Sequence, residues 1–428
     1  MPSTTSPDLR SFVPVPPDSH FPIQNLPYGV FRPKAGGEPR VGAAVGELIL
    51  DLAAVETRSL LKIQNRGQGA QSIFAQASLN AFMALGPEAW REVRQHVSRL
   101  LRDDEPMLRD DAELRETALV PMADAELLLP VEIGDYTDFY SSKDHASNVG
   151  AMFRGPEHAL PPNWLHLPIA YHGRASSIVV SGVDLHRPRG QTKAETASEP
   201  AFGPSQAVDF ELEMGYFIGE GNRLGEPIPV GRAMEHVFGL VLVNDWSARD
   251  IQRWEYAPLG PFLAKNFGTS ISPWVVPLEA LEPFRAAGPT QDPAPLDYLR
   301  TSGLEAYDIR LQVALQSAAM DAPQVLCDSN FRNLYWSIAQ QVAHHTVNGC
   351  NLRTGDLLAS GTISGPTPES RGCLLELTWG GRQPLELAGG EQRRFLADGD
   401  RVTMTACCEG EGYRVGFGEV TGKLLPAL

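Results

Sequence analysis

Residues Asp209-Phe210-Glu211-Leu212-Glu213-Met214 alternate acidic and apolar side chains without a break. Successive side chains of a strand point to opposite faces. The pattern predicts a strand with Asp209, Glu211 and Glu213 on one face and Phe210, Leu212 and Met214 on the other. Three neighbouring carboxylates repel one another. Water must screen them, as on a solvated edge strand, or a cation must sit among them. Tyr216, Phe217 and Ile218 follow directly, so the segment runs into a core, and the edge-strand reading loses ground.

Around this stretch the chain reads as mostly β, of the α+β kind. At 428 residues it has room for two domains, and we expect a division near residue 125, into 1–125 and 126–428. Residues 1–25 read as a proline-rich extended arm. Residues 28–32 and 41–52 read as strands of a small β unit, with a turn at Gly46-Glu47. Gly86-Pro87 opens a helix whose Trp90, Val93, Val97, Leu100 and Leu101 share one face at helical spacing. Residues 102–116 are densely charged, a second surface helix or a linker. Strands are then expected at 178–183, 210–218, 237–244, 274–277, 309–315, 374–379, 402–407 and 413–417. One helix is expected with Phe331, Leu334, Ile338, Val342 and His345 on a face, stopped by Asn348-Gly349. Long Gly/Pro-rich loops, 187–206 and 286–299, join the strands.

Charge and motifs exclude several classes of function. A net charge of −16 argues against nucleic acid, which needs a basic surface, and against anionic membrane. Nothing approaches an unbroken apolar span long enough to cross a bilayer. Five cysteines without a CxxC pair, together with an N-terminus unlike a signal peptide, predict a reducing, cytoplasmic setting. No phosphate-binding loop, serine-hydrolase elbow or HExxH zinc motif is present.

Chemistry-bearing residues gather in four loops. The first, 133–145, holds Asp135, Asp138, Asp144, Tyr136, Tyr140 and His145; a histidine among carboxylates is a candidate general base. In the second, the apolar run 239–243 delivers Asn244 and Asp245, followed by Arg249 and Gln252 at near-helical spacing. Asp250 in the same stretch also suits a helix N-cap. In the third, Lys265 lies between Leu263 and Phe267, and a partly buried lysine needs a carboxylate or a ligand. Arg249, Gln252 and Lys265 could form a cationic pocket for a carboxylate or enolate. The fourth, 355–366, is rich in small residues and leads to Glu376 inside an apolar segment; pairing with a histidine would resolve that burial. Asp138, Glu211, Glu213 and Asp245 make an all-oxygen set from three segments. Such a set suits Ca²⁺, Mg²⁺ or Mn²⁺ rather than Zn²⁺.

The segments GDYTDFYSSKDHASNVG, NWLHLPIAYHGRASSIVVSG, FELEMGYFIG, VNDWSARDIQRWEYAPLGPFLAKNFGTS, VNGCNLRTGDLLASGTISGP and GDRVTMTACCEGEGYRVGFGE closely resemble the fumarylacetoacetase family, as do FPIQNLPYGVF and NAFMALGPEAW. The likeness runs along nearly the whole chain. It implies a small N-terminal SH3-like β-barrel domain, a larger C-terminal mixed β-roll domain and a homodimer. The implied reaction is hydrolysis of the carbon–carbon bond of 4-fumarylacetoacetate to fumarate and acetoacetate, the last step of tyrosine and phenylalanine catabolism. Carried over by motif, Asp138, Glu211, Glu213 and Asp245 match Ca²⁺ ligands. Asp245 with the Lys265 and Thr269 positions matches an Mg²⁺ site, the latter two through backbone or hydroxyl oxygen, since an ammonium is no ligand. His145 matches the general base and Glu376 the group that orients it. Arg249, Gln252 and Lys265 match groups around developing charge. Tyr140, Arg154, Tyr171, Gln252, Tyr256 and Thr362 match substrate contacts. Related acylpyruvate or other β-diketone hydrolases share the carboxylate cluster, and a non-catalytic metal-binding protein would share it too. On this reading His344 and His345 are structural helix residues.

Overall fold

The computed structural model describes residues 3–61, 63 and 71–428; the first two residues of the arm read as 1–25 lie outside them. Near the N-terminus five strands form an antiparallel sheet in the order Leu119–Pro121, Leu48–Asp51, Arg40–Val45, Tyr28–Pro33, Ala125–Leu128. Its central hairpin turns at Gly46-Glu47, pairing Val45 with Leu48. The helix Pro87–Leu101 follows Gly86 and carries proline in its first turn. It buries Val93, Val97, Leu100 and Leu101, while Trp90 is half-buried. The charged stretch after it forms two short helices, Pro106–Arg109 and Ala112–Ala118.

The centre of the molecule is a mixed eight-stranded sheet. Seven strands run in the order Ala170–His172, Tyr136–Phe139, Leu357–Ala359, Leu212–Ile218, Val237–Asp245, Thr269–Ile271, Ile178–Val180, and Val276–Pro277 also pairs with Val237–Asp245. Both long middle strands are buried throughout. That burial explains the unbroken apolar run 237–243, since a strand covered on both faces has no reason to alternate. One face packs Leu240 and Leu242 with Leu311, Val313, Val402 and Met404 of a second, five-stranded sheet. On the opposite face Phe238, Val241 and Val243 pack with Tyr28, Phe82 and Val93 of the N-terminal region. The second sheet runs Gln324–Asn330, Arg310–Gln316, Arg401–Glu409, Arg414–Leu425, Leu185–His186.

Three expectations need correction. The 374–379 strand is instead a four-residue helix, Leu374–Leu377, entered from an extended Cys373. A short apolar run carries no period that separates strand from helix. The helix expected to begin near Phe331 is Ile338–Thr346, preceded by a separate 3-10 turn, Phe331–Asn333. Its start is set by a capping box, with the Ser337 side chain on the Gln340 amide and the Gln340 side chain on the Ser337 amide. Third, the 210–218 strand does not continue back through Asp209. Val208–Asp209 pairs with Ser247–Ala248, and the central strand begins at Leu212. The strand Gln324–Asn330 was not anticipated, and the strand expected at 413–417 extends from Arg414 to Leu425. The long 187–206 loop contains a hairpin, Arg189–Thr192 with Ala201–Pro204.

Candidate active site

The central sheet brings separate acidic segments together. Leu212 pairs with Asn244 and Glu213 with Val243, so the acidic end of one strand meets Asp245 at the end of the next. Asp138 stands on Tyr136–Phe139, parallel to Leu357–Ala359 and opposite Ala359. One carboxylate oxygen from each of Asp138, Glu211, Glu213 and Asp245 lies within 4.8 Å of the others, and all four side chains are buried. Asp209 leaves this group. Its oxygens take Arg249 and the amides of Leu374 and Leu375 instead.

Two cations enter the acidic cluster. Lys265 Nζ donates to Glu211 and, at 2.8 Å, to Asp245. Arg249 Nη1 lies 2.8 Å from Glu211 Oε1, and its Nε is taken by Asp209. Thr269 and Tyr171 donate to the two oxygens of Asp245 at 2.9 and 3.0 Å. The Gly361 amide donates to both Asp138 and Glu213, at 3.1 and 3.2 Å. Burial, then the charge of Asp245, pushes Asp138 well above the usual carboxylate range; burial, Asp138 and Asp245 do the same to Glu213. Asp245 is raised as well, chiefly by burial. Glu211 goes the other way: burial opposes its charge, but Lys265 and Arg249 outweigh it. For Lys265, burial opposes the charge, and Asp245 and Glu211 more than restore it.

The cluster thus gathers four buried carboxyl groups against two cations, and Glu213 Oε1 is buried with no hydrogen-bond partner among the described residues. All-oxygen donors with one lone pair set unclaimed fit a hard divalent cation. Asp138, Glu211, Glu213 and Asp245 would hold it. The Lys265 ammonium has no lone pair to offer, whereas the Thr269 hydroxyl gives its proton to Asp245 and keeps its oxygen lone pairs.

His145 lies near the cluster, close enough for its charge to act on Glu211. Ser142 caps the helix Lys143–Arg154 by accepting the His145 amide, which fixes His145 in the first turn. His145 Nδ1 is 2.5 Å from Glu376 Oε2, and both side chains are buried. Asn148 Nδ2 donates to Glu376 Oε1 at 2.8 Å, Ser364 Oγ to Oε2 at 2.7 Å, and Cys373 Sγ to Oε2 at 3.2 Å. Burial opposes ionisation of Glu376, but His145, Asn148 and Ser364 outweigh it and hold it at about 2. A carboxylate can only accept, so Nδ1 of His145 is the donor in this pair, and in the neutral ring Nε2 is the nitrogen left to accept a proton. The ring of Tyr140 meets that of His145 edge-on, 5.3 Å between centroids.

The remaining sequence-derived residues divide. Gln252 accepts from Arg249 Nη1 at 3.2 Å, and Thr362 Oγ1 and Arg249 Nη2 are buried without partners among the described residues. Arg154 is exposed and its guanidinium rests on the carbonyls of His158 and Ala159, yet its charge reaches Tyr140. Tyr256, at the end of the helix Arg249–Glu255, is 56% exposed. Neither touches the buried carboxylates. Asp250 is not the N-cap residue of that helix, which is Ala248, but lies in its first turn, where it accepts from the Ile251 amide, the Gln206 amide and Ser205. His345 and His344 bond Thr137 and Tyr298. Sequence reasoning missed Asn148, Ser364, Cys373 and Gly361. Gly361 and Ser364 carried a signal by their place in the small-residue loop 355–366, and Cys373 by lying three residues before Glu376; Asn148 carried none.

Comparison with known proteins covers the whole of this arrangement. Residues 24–130 match the model of the fumarylacetoacetase N-terminal family, and residues 135–424 that of the fumarylacetoacetate (FAA) hydrolase C-terminal family. The chain is 56% identical to fumarylacetoacetase of Bos taurus over 418 residues, covering 98% of this chain and 99% of that one. It is 56% identical to fumarylacetoacetase of Arabidopsis thaliana over 422 residues, with 98% and 99% covered. Among solved structures, the fold is similar to a fumarylacetoacetate hydrolase from Exiguobacterium antarcticum, with a TM-score of 0.52 at 17% identity over 94% of this chain and 99% of that one.

Proposed function

The chain belongs to the fumarylacetoacetase family, and from that premise we propose how its residues share the work. It is a hydrolase of carbon–carbon bonds that cleaves 4-fumarylacetoacetate to fumarate and acetoacetate, a step of tyrosine catabolism. Glu376 keeps the proton of His145 on Nδ1, so Nε2 takes a proton from water. The hydroxide adds to the carbonyl beside the fumaryl part. The bond to the acetoacetyl carbon then breaks, its electron pair leaving as an enolate that takes up a proton. A carbanion leaves only when its charge is offset, and Lys265 and the unpartnered Nη2 of Arg249 supply positive charge for that. A divalent cation held by Asp138, Glu211, Glu213 and Asp245 would polarise the diketone oxygens.

Tyr140, Arg154, Tyr171, Gln252, Tyr256 and Thr362 are read as substrate contacts, with the Tyr140 ring against His145, Thr362 buried, and Arg154 and Tyr256 exposed. The identity of the cation as Ca²⁺ or Mg²⁺, with Thr269 beside Asp245, belongs to the same proposal. So do the homodimer, the cytoplasmic setting, the SH3-like and β-roll descriptions and the division near residue 125. No helix among the described residues is long and apolar enough to cross a membrane.

The observation that carries the reading is the buried His145–Glu376 pair set against four convergent carboxylates. The test is product analysis with 4-fumarylacetoacetate and, in parallel, acylpyruvates. Fumarate and acetoacetate in equal amounts, abolished in His145→Ala, are expected. Turnover of acylpyruvates alone, or full activity of the variant, would overturn the assignment.

A further inference from the structure

Asp209 is fully buried, and the reaction steps above do not use it. Its one carboxylate collects four donors. Oδ1 accepts the amides of Phe210 and Leu374 at 2.9 and 2.7 Å, and Oδ2 accepts the Leu375 amide and Arg249 Nε at 2.9 and 2.8 Å. The backbone supports both sides of this arrangement. Asp209 pairs with Ser247 in a short ladder, and the Arg249 amide donates to the Ala207 carbonyl, so Arg249 opens its helix directly after the strand that pairs with Asp209.

The two groups that Asp209 grips belong to the two halves of the chemistry. With Nε taken, Arg249 sends Nη1 to Glu211 and Gln252 and leaves Nη2 without a partner. On the other side, Leu374 and Leu375 open the four-residue helix that carries Glu376. A single turn of helix has no stability of its own, and its first amides need acceptors. Asp209 supplies two, and the position of Glu376 against His145 Nδ1 follows from where that turn is anchored.

We propose that Asp209 is a positioning residue for the hydrolysis proposed above, one carboxylate that ties the guanidinium facing the developing charge to the turn that orients the base. The inference rests on that functional reading. A buried aspartate that merely closes a helix end would hold the turn, yet it would have no reason to hold Arg249 as well.

Asp209→Asn tests it. An amide has one acceptor oxygen, and in either orientation its NH₂ faces two of the four donors. The lost charge-assisted bonds predict a fall in kcat of about 10- to 100-fold, with KM within about threefold and an unchanged circular dichroism spectrum. The second reading is the same substitution in a Glu376→Gln background. If Asp209 acts through Glu376, its effect there shrinks to a few-fold; if it is only structural, the two losses multiply. Wild-type turnover is measured first: none with 4-fumarylacetoacetate sinks the functional reading itself. Wild-type turnover with an unimpaired Asp209→Asn variant, or with multiplying losses, overturns the role of Asp209 alone. If Asp209→Asn does not fold, Asp209→Ser is read in the same way, and failure of both to fold assigns Asp209 to folding and overturns the proposal.

Discussion

Replacing Glu376 by glutamine separates two effects that a larger deletion would merge. The glutamine oxygen can take either carboxylate position. At the Oε2 position it would keep three donors, His145 Nδ1, Ser364 Oγ and Cys373 Sγ, and leave only Asn148 opposite the new NH₂. Asn148 can turn its own amide and accept. The proton of His145 therefore stays on Nδ1, and Nε2 remains able to accept from water. What disappears is the negative charge that stabilises the imidazolium formed in the transition state. A hydrogen bond to a charged group contributes about 1.5–3 kcal/mol, so kcat should fall about 10- to 150-fold with KM nearly unchanged. A wrong tautomer would cost about 10⁴-fold. Initial rates of fumarate release decide between them. A loss below about threefold would show that the charge is not needed, and a loss near 10⁴ would refute the argument for the surviving tautomer.

The same substitution has a stability signature. The carboxyl of Glu376 is lowered from an ordinary 4.5 to about 2. A lowered acid contributes stability that is present above its unfolded value and lost as pH falls through its folded one. The native protein should therefore lose on the order of 3 kcal/mol between about pH 4.5 and pH 2 on this account, and the glutamine variant should not. Denaturant unfolding along that pH series, wild type against variant, checks the difference. A gap that does not narrow as pH falls would contradict it.

Two further outcomes follow from the acidic cluster. Asp138 and Glu213 are held well above the usual carboxylate range, so adding Ca²⁺ or Mg²⁺ to chelator-treated protein near neutral pH should release protons, restore turnover and, at about a hundredfold excess over Kd, raise the unfolding midpoint by about 3 °C. Titration in weakly buffered solution and thermal scans read this; neither proton release nor a shift would argue against a cation site. Gly361 has φ +76°, and an added Cβ would stand 2.2 Å from the Phe139 carbonyl oxygen. Gly361→Ala should destabilise the protein by about 2 kcal/mol or more and weaken cation binding, because its amide holds Asp138 and Glu213 together. Wild-type stability and affinity in that variant would refute the point.

Sequence patterning revealed the long elements and failed at the short ones, for a physical reason. The helix Pro87–Leu101 and the strand Val237–Asp245 are long enough for period or continuous burial to show. Leu374–Leu377 spans a single turn, where apolar content is compatible with either state. In the site, alternation correctly grouped Glu211 with Glu213 but wrongly added Asp209, because the ladder changes partner between Asp209 and Leu212. His145 and Glu376 are separated by 231 positions, and their contact at 2.5 Å leaves no local trace. Asn148 and Ser364 are likewise meaningful only once the carboxylate they serve is in place.

The burial of Val237–Asp245 on both faces has a consequence for trimming the protein. Removing the first hundred or so residues would strip Tyr28, Phe82 and Val93 from behind Phe238, Val241 and Val243, leaving a greasy rear wall on the very strand that ends in Asp245. Such a fragment would aggregate before it could be assayed. The N-terminal region is in this sense the back plate of the strand that carries Asp245, and a minimal enzyme would have to replace it rather than merely omit it.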